Sequence, residues 1–134
     1  MPFVLDASIV VAWAFADEHH PVAEAALDRL ATDDGAAPFL WWFEVHNALL
    51  AGERRQRLDQ AGTTAFLQRL ARLPIVLDRA SDQGLLLDLA RRHRLTAYDT
   101  AYLELTTRRG LMLATLDEDL RTAATRDGIA VLAA

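Results

Sequence analysis

The sequence contains no cysteine and no lysine, and each absence removes a class of chemistry. Without cysteine the chain has no disulfide, no thiolate zinc site and no cysteine nucleophile. All 14 basic residues are arginine, so the phosphate-binding lysine of a P-loop and the amine of Schiff-base catalysis are missing too. The chemistry of any site in this chain falls to carboxylates, hydroxyls, histidines and arginines.

Long apolar runs are also absent. No segment approaches the roughly 20 apolar residues that cross a bilayer, and the start Met1-Pro2-Phe3 lacks the basic residues and apolar stretch of a signal peptide. We therefore expect a cytoplasmic protein with no membrane association. A length of 134 residues with 52% hydrophobic residues predicts one globular domain over residues 1–134.

Positive charge is scarce as well. The chain carries 19 acidic residues and a formal net charge of -5, which argues against binding nucleic acid through a general basic surface. A contact with nucleic acid has to be local. Arg54, Arg55 and Arg57 form a basic cluster that could hold RNA phosphates, although such a cluster at a helix end is more often solvated surface.

Short apolar runs alternate with segments of helical spacing along the whole chain. The runs predicted as strands are residues 3–5, 36–40, 75–77, 111–114 and 129–132. This alternation predicts an α/β fold, with a central parallel sheet of about five strands and helices on both faces. In the helix predicted over residues 41–51, Trp42, Val45 and Leu49 share one face. Packing is the favoured role for Trp41 and Trp42, with base stacking or a dimer contact as the alternative.

Two aspartates stand directly after predicted strands, and two further acids lie just beyond. Asp6 and Asp117 should emerge at the same edge of a parallel sheet, and Glu44 and Asp99 occupy early helical turns near that edge. Four carboxylates brought together repel one another and need protons or cations. Mg²⁺ and Mn²⁺ prefer oxygen ligands and can assist phosphoryl chemistry. The pattern therefore predicts a metal site and a metal-dependent nuclease.

Several neighbouring residues have the right chemistry to support such a site. Ser8, Asn47 and Thr115 can orient carboxylates or bound waters. Asp119, two residues after Asp117, is a further candidate ligand, but we favour a role for it as the cap of a helix from Leu120. Spacing alone leaves an even choice for each acid between a ligand and an ordinary cap or surface charge.

Four segments of the chain closely resemble PIN-domain ribonucleases, and most of all the VapC toxins of bacterial type II toxin-antitoxin pairs. They are VLDAS at residues 4–8, EVHN at 44–47, LTAYDTAY at 95–102 and LATLD at 113–117. The third segment is the most specific of them. The resemblance covers essentially the whole chain.

This resemblance implies endonucleolytic cleavage of RNA with one or two Mg²⁺ or Mn²⁺ ions. By motif, Asp6, Glu44 and Asp99 would be the core metal ligands, and Asp117 the fourth acid with Thr115 supporting it. A water activated by the metal would hydrolyse the phosphodiester bond. The resemblance also implies a homodimer that is silenced by a small VapB-type antitoxin, whose C-terminal segment enters the acidic groove.

Three functions other than that of a toxin share some of these sequence features. A haloacid-dehalogenase-type phosphatase also has an aspartate after its first strand, but it carries another aspartate two residues later, where this chain has Ser8, and it needs a lysine. A PIN module that binds antitoxin or nucleic acid without cutting is the non-enzymatic alternative. A PIN nuclease of RNA processing, unrelated to toxicity, is another.

Overall fold

The structure is a computed structural model that describes residues 1–15 and 17–134. Within these residues the chain forms four strands and seven helices, in an order that alternates as the sequence predicts. The elements are β1 (Phe3–Leu5), α1 (Ala7–Ala14), α2 (Pro21–Arg29), β2 (Gly35–Pro38), α3 (Leu40–Arg54), α4 (Gln60–Leu70), β3 (Ile75–Asp78), α5 (Gln83–His93), α6 (Ala97–Arg109), β4 (Met112–Ala114) and α7 (Glu118–Arg126).

The strands form one parallel sheet in the order β3-β2-β1-β4. This confirms the α/β prediction. The central strand β1 is fully buried, and Val4 pairs with Ala36 on one side and Leu113 on the other. The chain builds the sheet to one side of β1 and then crosses to place β4 on the opposite side. The point where the strand order reverses therefore lies between β1 and β4, which is where open α/β sheets bind their ligands.

The segment predicted as a fifth strand, residues 129–132, adds only an isolated bridge to the sheet. Val131 pairs with Leu113 in the parallel sense. The backbone hydrogen bonds flanking this pair run from Leu113 to Ala130 at 2.9 Å and from Leu132 to Leu113 at 2.8 Å. The segment thus lies beside β4 as the fifth strand should, but pairs over too few residues to extend the sheet.

Helix ends follow the capping residues in the sequence. The Asp59 and Asp82 side chains cap α4 and α5, and Gly110, with a φ of 66°, ends α6 in the left-handed conformation that glycine adopts without strain. The α6 helix begins at Ala97, because Thr96 is its cap. As a result Asp99 lies in the first turn of α6, as predicted.

The packed face of α3 differs from its prediction by one position. Trp41 is 6% exposed and packs with Val45 and Leu49, whereas Trp42 is 43% exposed. Trp41, Val45 and Leu49 follow one another at steps of four residues on α3, so they lie on one side of the helix and pack together. The indole of Trp42 instead stacks on His46, with 4.0 Å between ring centroids. The packing role is therefore correct for Trp41 and wrong for Trp42.

The described part of the chain has no helix of the length and apolar character that a membrane span requires.

Candidate functional site

Asp6 lies at the carboxyl end of β1 and joins the two strands that flank the switch point. Its carboxylate is 5% exposed and caps α1 by accepting a hydrogen bond of 3.1 Å from the Ser8 backbone amide. The hydroxyls of Ser8 and Thr115 both donate to the same carboxylate. Because Thr115 directly follows β4, this contact ties the end of β4 to the end of β1.

Burial dominates the electrostatics of Asp6. It raises the pKa of this carboxyl to about 6, against the opposing effect of the hydrogen bonds from Ser8 and Thr115. The charge of Asp117 raises the pKa further. At neutral pH the site therefore holds a poorly solvated carboxylate that gains from a nearby positive charge.

Glu44 projects from α3 and is fixed by a residue from a distant helix. Its Oε1 atom accepts a hydrogen bond from the buried Tyr102 hydroxyl. Burial and the charge of Asp99 raise the pKa of Glu44, while the bond from Tyr102 lowers it. The pKa of Tyr102 is raised by its burial, by Glu44 and by the charge of Asp6. The Tyr102 hydroxyl thus lies between two of the predicted acids.

The sequence does not predict this role for Tyr102. A signal for it exists, because Tyr102 follows Asp99 by three positions on α6 and such residues are neighbours on a helix surface.

Asp99 and Asp117 complete the set from two further helices. The Asp99 backbone amide donates to the Thr96 hydroxyl at 3.1 Å, which leaves the Asp99 carboxylate free of the cap. Burial raises the pKa of Asp99, and the charges of Asp117 and Asp119 raise it further. The backbone amide of Asp117 donates to the Thr115 hydroxyl at 3.0 Å.

Asp117, and not Asp119, caps the last helix. The Asp117 carboxylate accepts from the Leu120 amide at 3.0 Å, because α7 begins at Glu118, two residues before its predicted start. The predicted capping role of Asp119 is therefore wrong. Asp119 lies exposed in the first turn of α7, where its charge reaches Asp99.

The four acids form one electrostatic group, which we call the acidic cluster: Asp6, Glu44, Asp99 and Asp117. Asp6 is influenced by Asp117, Asp99 by Asp117, and Glu44 by Asp99. Within the described residues, none of the four forms an ion pair. Other acids in the chain do pair, as Asp78 does with Arg108 and Arg109.

A hard divalent cation fits this donor set. The donors are carboxylate oxygens, and burial, with a further contribution from the charges of neighbouring acids, raises the pKa of three of them. Across residues 1–15 and 17–134, no three acidic or histidine side chains stand close enough to ligate one ion together. A cation held here would therefore have to keep several of its own waters, as Mg²⁺ does.

The remaining predicted residues lie outside these contacts. Asn47 is exposed and lines an open pocket of about 490 Å³ together with Glu44, but among the described residues its side chain makes no hydrogen bond to the acidic cluster. Arg57 pairs with Asp17 at 3.0 Å and lies over the Phe15 ring, 4.2 Å from its centroid. The Arg57 charge is thus already paired within the fold. Arg54 and Arg55 are exposed.

Comparison with known proteins agrees with this geometry. The family model of the PIN domain matches residues 3–125. No curated protein sequence matches the chain. Among solved structures, the chain is similar to PAE2754 from Pyrobaculum aerophilum, with a TM-score of 0.72 and 25% identity over 98% of this chain and 83% of that one. It also shares its fold with VapC20 of Mycobacterium tuberculosis, a toxin that cleaves the sarcin-ricin loop, with a TM-score of 0.60 and 12% identity over 90% of this chain and 94% of that one.

The family match spans nearly all of the chain and includes every member of the acidic cluster. The protein therefore belongs to the PIN-domain family.

Proposed function

We propose that the protein is a Mg²⁺- or Mn²⁺-dependent endoribonuclease and the toxin of a type II toxin-antitoxin pair. One observation supports the enzymatic part: four acids at the ends of β1 and β4 and on α3 and α6 influence one another through their charges, and among the described residues none is neutralised by a basic side chain. A protein that needed these acids only for stability would be expected to pair them.

Each member of the cluster contributes to binding a cation. Asp6 is held in one orientation by Ser8 and Thr115, and its two oxygens retain lone pairs beyond those bonds. Tyr102 fixes one oxygen of Glu44 and leaves the other free. When bound, a divalent cation supplies positive charge against the phosphate oxygens and lowers the pKa of water.

The protein's own residues contribute to the reaction by positioning the carboxylates. Hydroxyl and amide donors hold Asp6 and Asp117 before substrate arrives, so little reorganisation is needed at the moment of hydrolysis. His46 is engaged with Trp42 through its ring and its Nδ1 atom, and His93 is hydrogen-bonded to Asp127, so we propose neither as a general base. We accordingly propose attack by water rather than by the RNA 2′-hydroxyl.

The toxin part rests on similarity. VapC20, whose fold this chain shares, is an RNA-cleaving toxin, and we extend that role to this protein together with an antitoxin partner and a homodimer. The non-cleaving PIN module is less well supported, because the chain retains all four acids in one cluster. A PIN nuclease of RNA processing would share the chemistry and differ in its genetic context.

A cleavage assay tests the enzymatic proposal. Purified protein freed of any partner is expected to cut total RNA with Mg²⁺ or Mn²⁺ and to stop when EDTA is added. Asp6→Asn should abolish cutting while circular dichroism shows the fold unchanged. Cutting at the wild-type rate by this variant would show a contaminating nuclease and overturn the site assignment.

Genetic context tests the toxin role separately. We expect a small reading frame beside the gene whose product copurifies with this protein, and growth arrest when the nuclease is expressed alone. Active nuclease with neither a partner nor an effect on growth would favour RNA processing.

A further inference from the structure

A further pocket carries two arginines and shares Asp119 with the surroundings of the acidic cluster. It has a volume of about 300 Å³ and is lined by residues from the α5–α6 turn and from one face of α7. We call it the arginine pocket, and its lining residues are His93, Arg94, Leu95, Asp119, Thr122, Ala123 and Arg126. The α7 members follow the spacing of neighbours on a helix surface.

Two arginines in this pocket have no partner in the fold. Arg94 and Arg126 are exposed, and neither forms an ion pair or a side-chain hydrogen bond within the described residues. Asp127, beside the pocket, is already paired, since it accepts from His93 at 2.9 Å and from Arg92 at 3.2 Å. Asp119 is the one acid among the described residues of the lining, so the two arginines leave the pocket with an excess of positive charge. In a chain with a net charge of -5, two free guanidinium groups in one pocket form a local positive site.

Arg94 ends α5 in the left-handed conformation, with a φ of 54°, and the Leu95 amide closes the helix by donating to the Ala90 carbonyl. The same position after α6 is Gly110, the residue that adopts this conformation without steric cost. The conformation belongs to the helix end, and it holds Arg94 on the turn that lines the pocket.

Asp119 links the pocket to the acidic cluster, since it lines the pocket and its charge also reaches Asp99. The Arg94 side of the pocket leads directly through Leu95 to Thr96, the cap that places Asp99. A chain of phosphates crossing the acidic cluster would therefore meet the two arginines next.

We propose that Arg94 and Arg126 form a phosphate-binding site that holds the backbone of single-stranded RNA on one side of the acidic cluster. Guanidinium forks suit phosphate oxygens, and Thr122 adds a hydroxyl donor within the same pocket. The site supplies the local positive charge that an acidic protein needs to bind RNA. This inference rests on the proposed nuclease function and names a contact for its substrate.

The test measures the binding of a short unstructured RNA to the full-length protein by fluorescence anisotropy. The measurement is made at several salt concentrations, with Ca²⁺ in place of Mg²⁺. Arg94→Gln and Arg126→Gln are each expected to weaken binding about fivefold near 0.1 M salt and to lower the slope of log K against log salt by about 0.7. Arg72→Gln is the matched control, because Arg72 is exposed, unpaired among the described residues and precedes the amino end of β3.

A second variant separates binding from folding. Arg94→Gly removes the side chain and relieves the left-handed strain, so it should raise Tm by about 3 °C while weakening RNA binding as Arg94→Gln does. A merely structural arginine would move stability and binding in the same direction.

The outcomes distinguish the two levels of the proposal. If the wild type binds and cuts RNA but the Arg94 and Arg126 variants keep its affinity and salt slope, the phosphate site is wrong and the nuclease stands. If the wild type neither binds nor cuts RNA, the proposed function fails and this inference fails with it.

Discussion

Asp6 is the residue on which stability and proposed function conflict. Burial disfavours its charged form, and the hydroxyls of Ser8 and Thr115 offset that cost only in part. A bound cation would remove the conflict, because it stabilises the carboxylate without moving it. The buried Asp6 carboxylate therefore destabilises the metal-free fold and is also a ligand of the proposed site.

This conflict predicts an unusual dependence of stability on pH. The folded pKa of Asp6, about 6, lies above its ordinary value of 3.8, so the folded state binds more protons between these values and is stabilised as pH falls through that window. This stabilisation by the bound proton is lost as the pH rises toward 6. Above that pH the folded state carries the full cost of burying the charged carboxylate. Without divalent cations, lowering the pH from about 7.5 to about 5.5 should raise the free energy of unfolding by about 1 kcal/mol more for wild type than for Asp6→Asn.

Urea unfolding at the two pH values measures this difference. Parallel pH dependence of the two proteins would mean that Asp6 is charged without cost, in conflict with its burial.

The Tyr102 hydroxyl should act by positioning Glu44. Tyr102→Phe removes the bond to Oε1 and leaves the rest of the buried ring in place, so cation affinity should fall roughly 10–100-fold, the usual effect of losing a group that orients a ligand. Titration with Mn²⁺ by calorimetry checks this. Tyr98→Phe is the control, since the Tyr98 side chain is 67% exposed, and an equal loss in both variants would contradict a specific role for Tyr102.

At the scale of elements, helix caps set the positions of the acids. Asp6 and Asp117 are themselves caps, and Thr96 is the cap of the helix that carries Asp99. A capping side chain is fixed relative to the helix it starts, so these acids inherit their positions from α1, α6 and α7. The site is built from helix starts at the carboxyl edge of the sheet.

Removing the cap of α6 should therefore affect both stability and activity. Thr96→Ala deletes the acceptor for the Asp99 amide and should cost about 1 kcal/mol of stability, with loss of RNA cleavage as the first turn loosens. Asp59→Ala deletes the comparable cap of α4, where Asp59 accepts from Gly62 at 2.7 Å, and should cost similar stability without loss of cleavage. If Asp59→Ala reduced activity as much, the loss would reflect general destabilisation.

The sequence could predict those elements whose ends are marked by local residues. Asp59, Asp82 and Gly110 each mark the end of their own helix, and such residues can be recognised from the local sequence. Which face of α3 packs inward, and which group the Tyr102 hydroxyl contacts, depend on neighbours from other parts of the chain. The local sequence pattern carries no information on such contacts, so it places Trp42 on the wrong face and predicts no polar role for Tyr102.

At the scale of the whole molecule, strand order explains why the acids meet. The sequence predicts strands and the edge at which Asp6 and Asp117 emerge, but not that β1 and β4 are neighbours. That pairing brings Thr115 to Asp6 across most of the chain length. The four acids are dispersed over the sequence, and a single crossover in the sheet makes them one group.

The whole fold should be stabilised by the cation that this group binds. A ligand that binds only the folded state at about 100 times its dissociation constant adds about 2.7 kcal/mol, so Mn²⁺ at saturating concentration should raise Tm clearly and EDTA should reverse the rise. Asp99→Asn is expected to lose most of this response. A rise of the same size in that variant would place the binding elsewhere on the protein.

The most direct test of the nuclease proposal is a map of the RNA ends that the protein produces. Total RNA treated with the wild type and Mg²⁺ or Mn²⁺ should show discrete new ends without 2′,3′-cyclic phosphate, because the proposed attack is by water. The same treatment with Asp99→Asn should show none of them. Cyclic phosphate ends, or identical ends from the variant, would contradict hydrolysis by the acidic cluster.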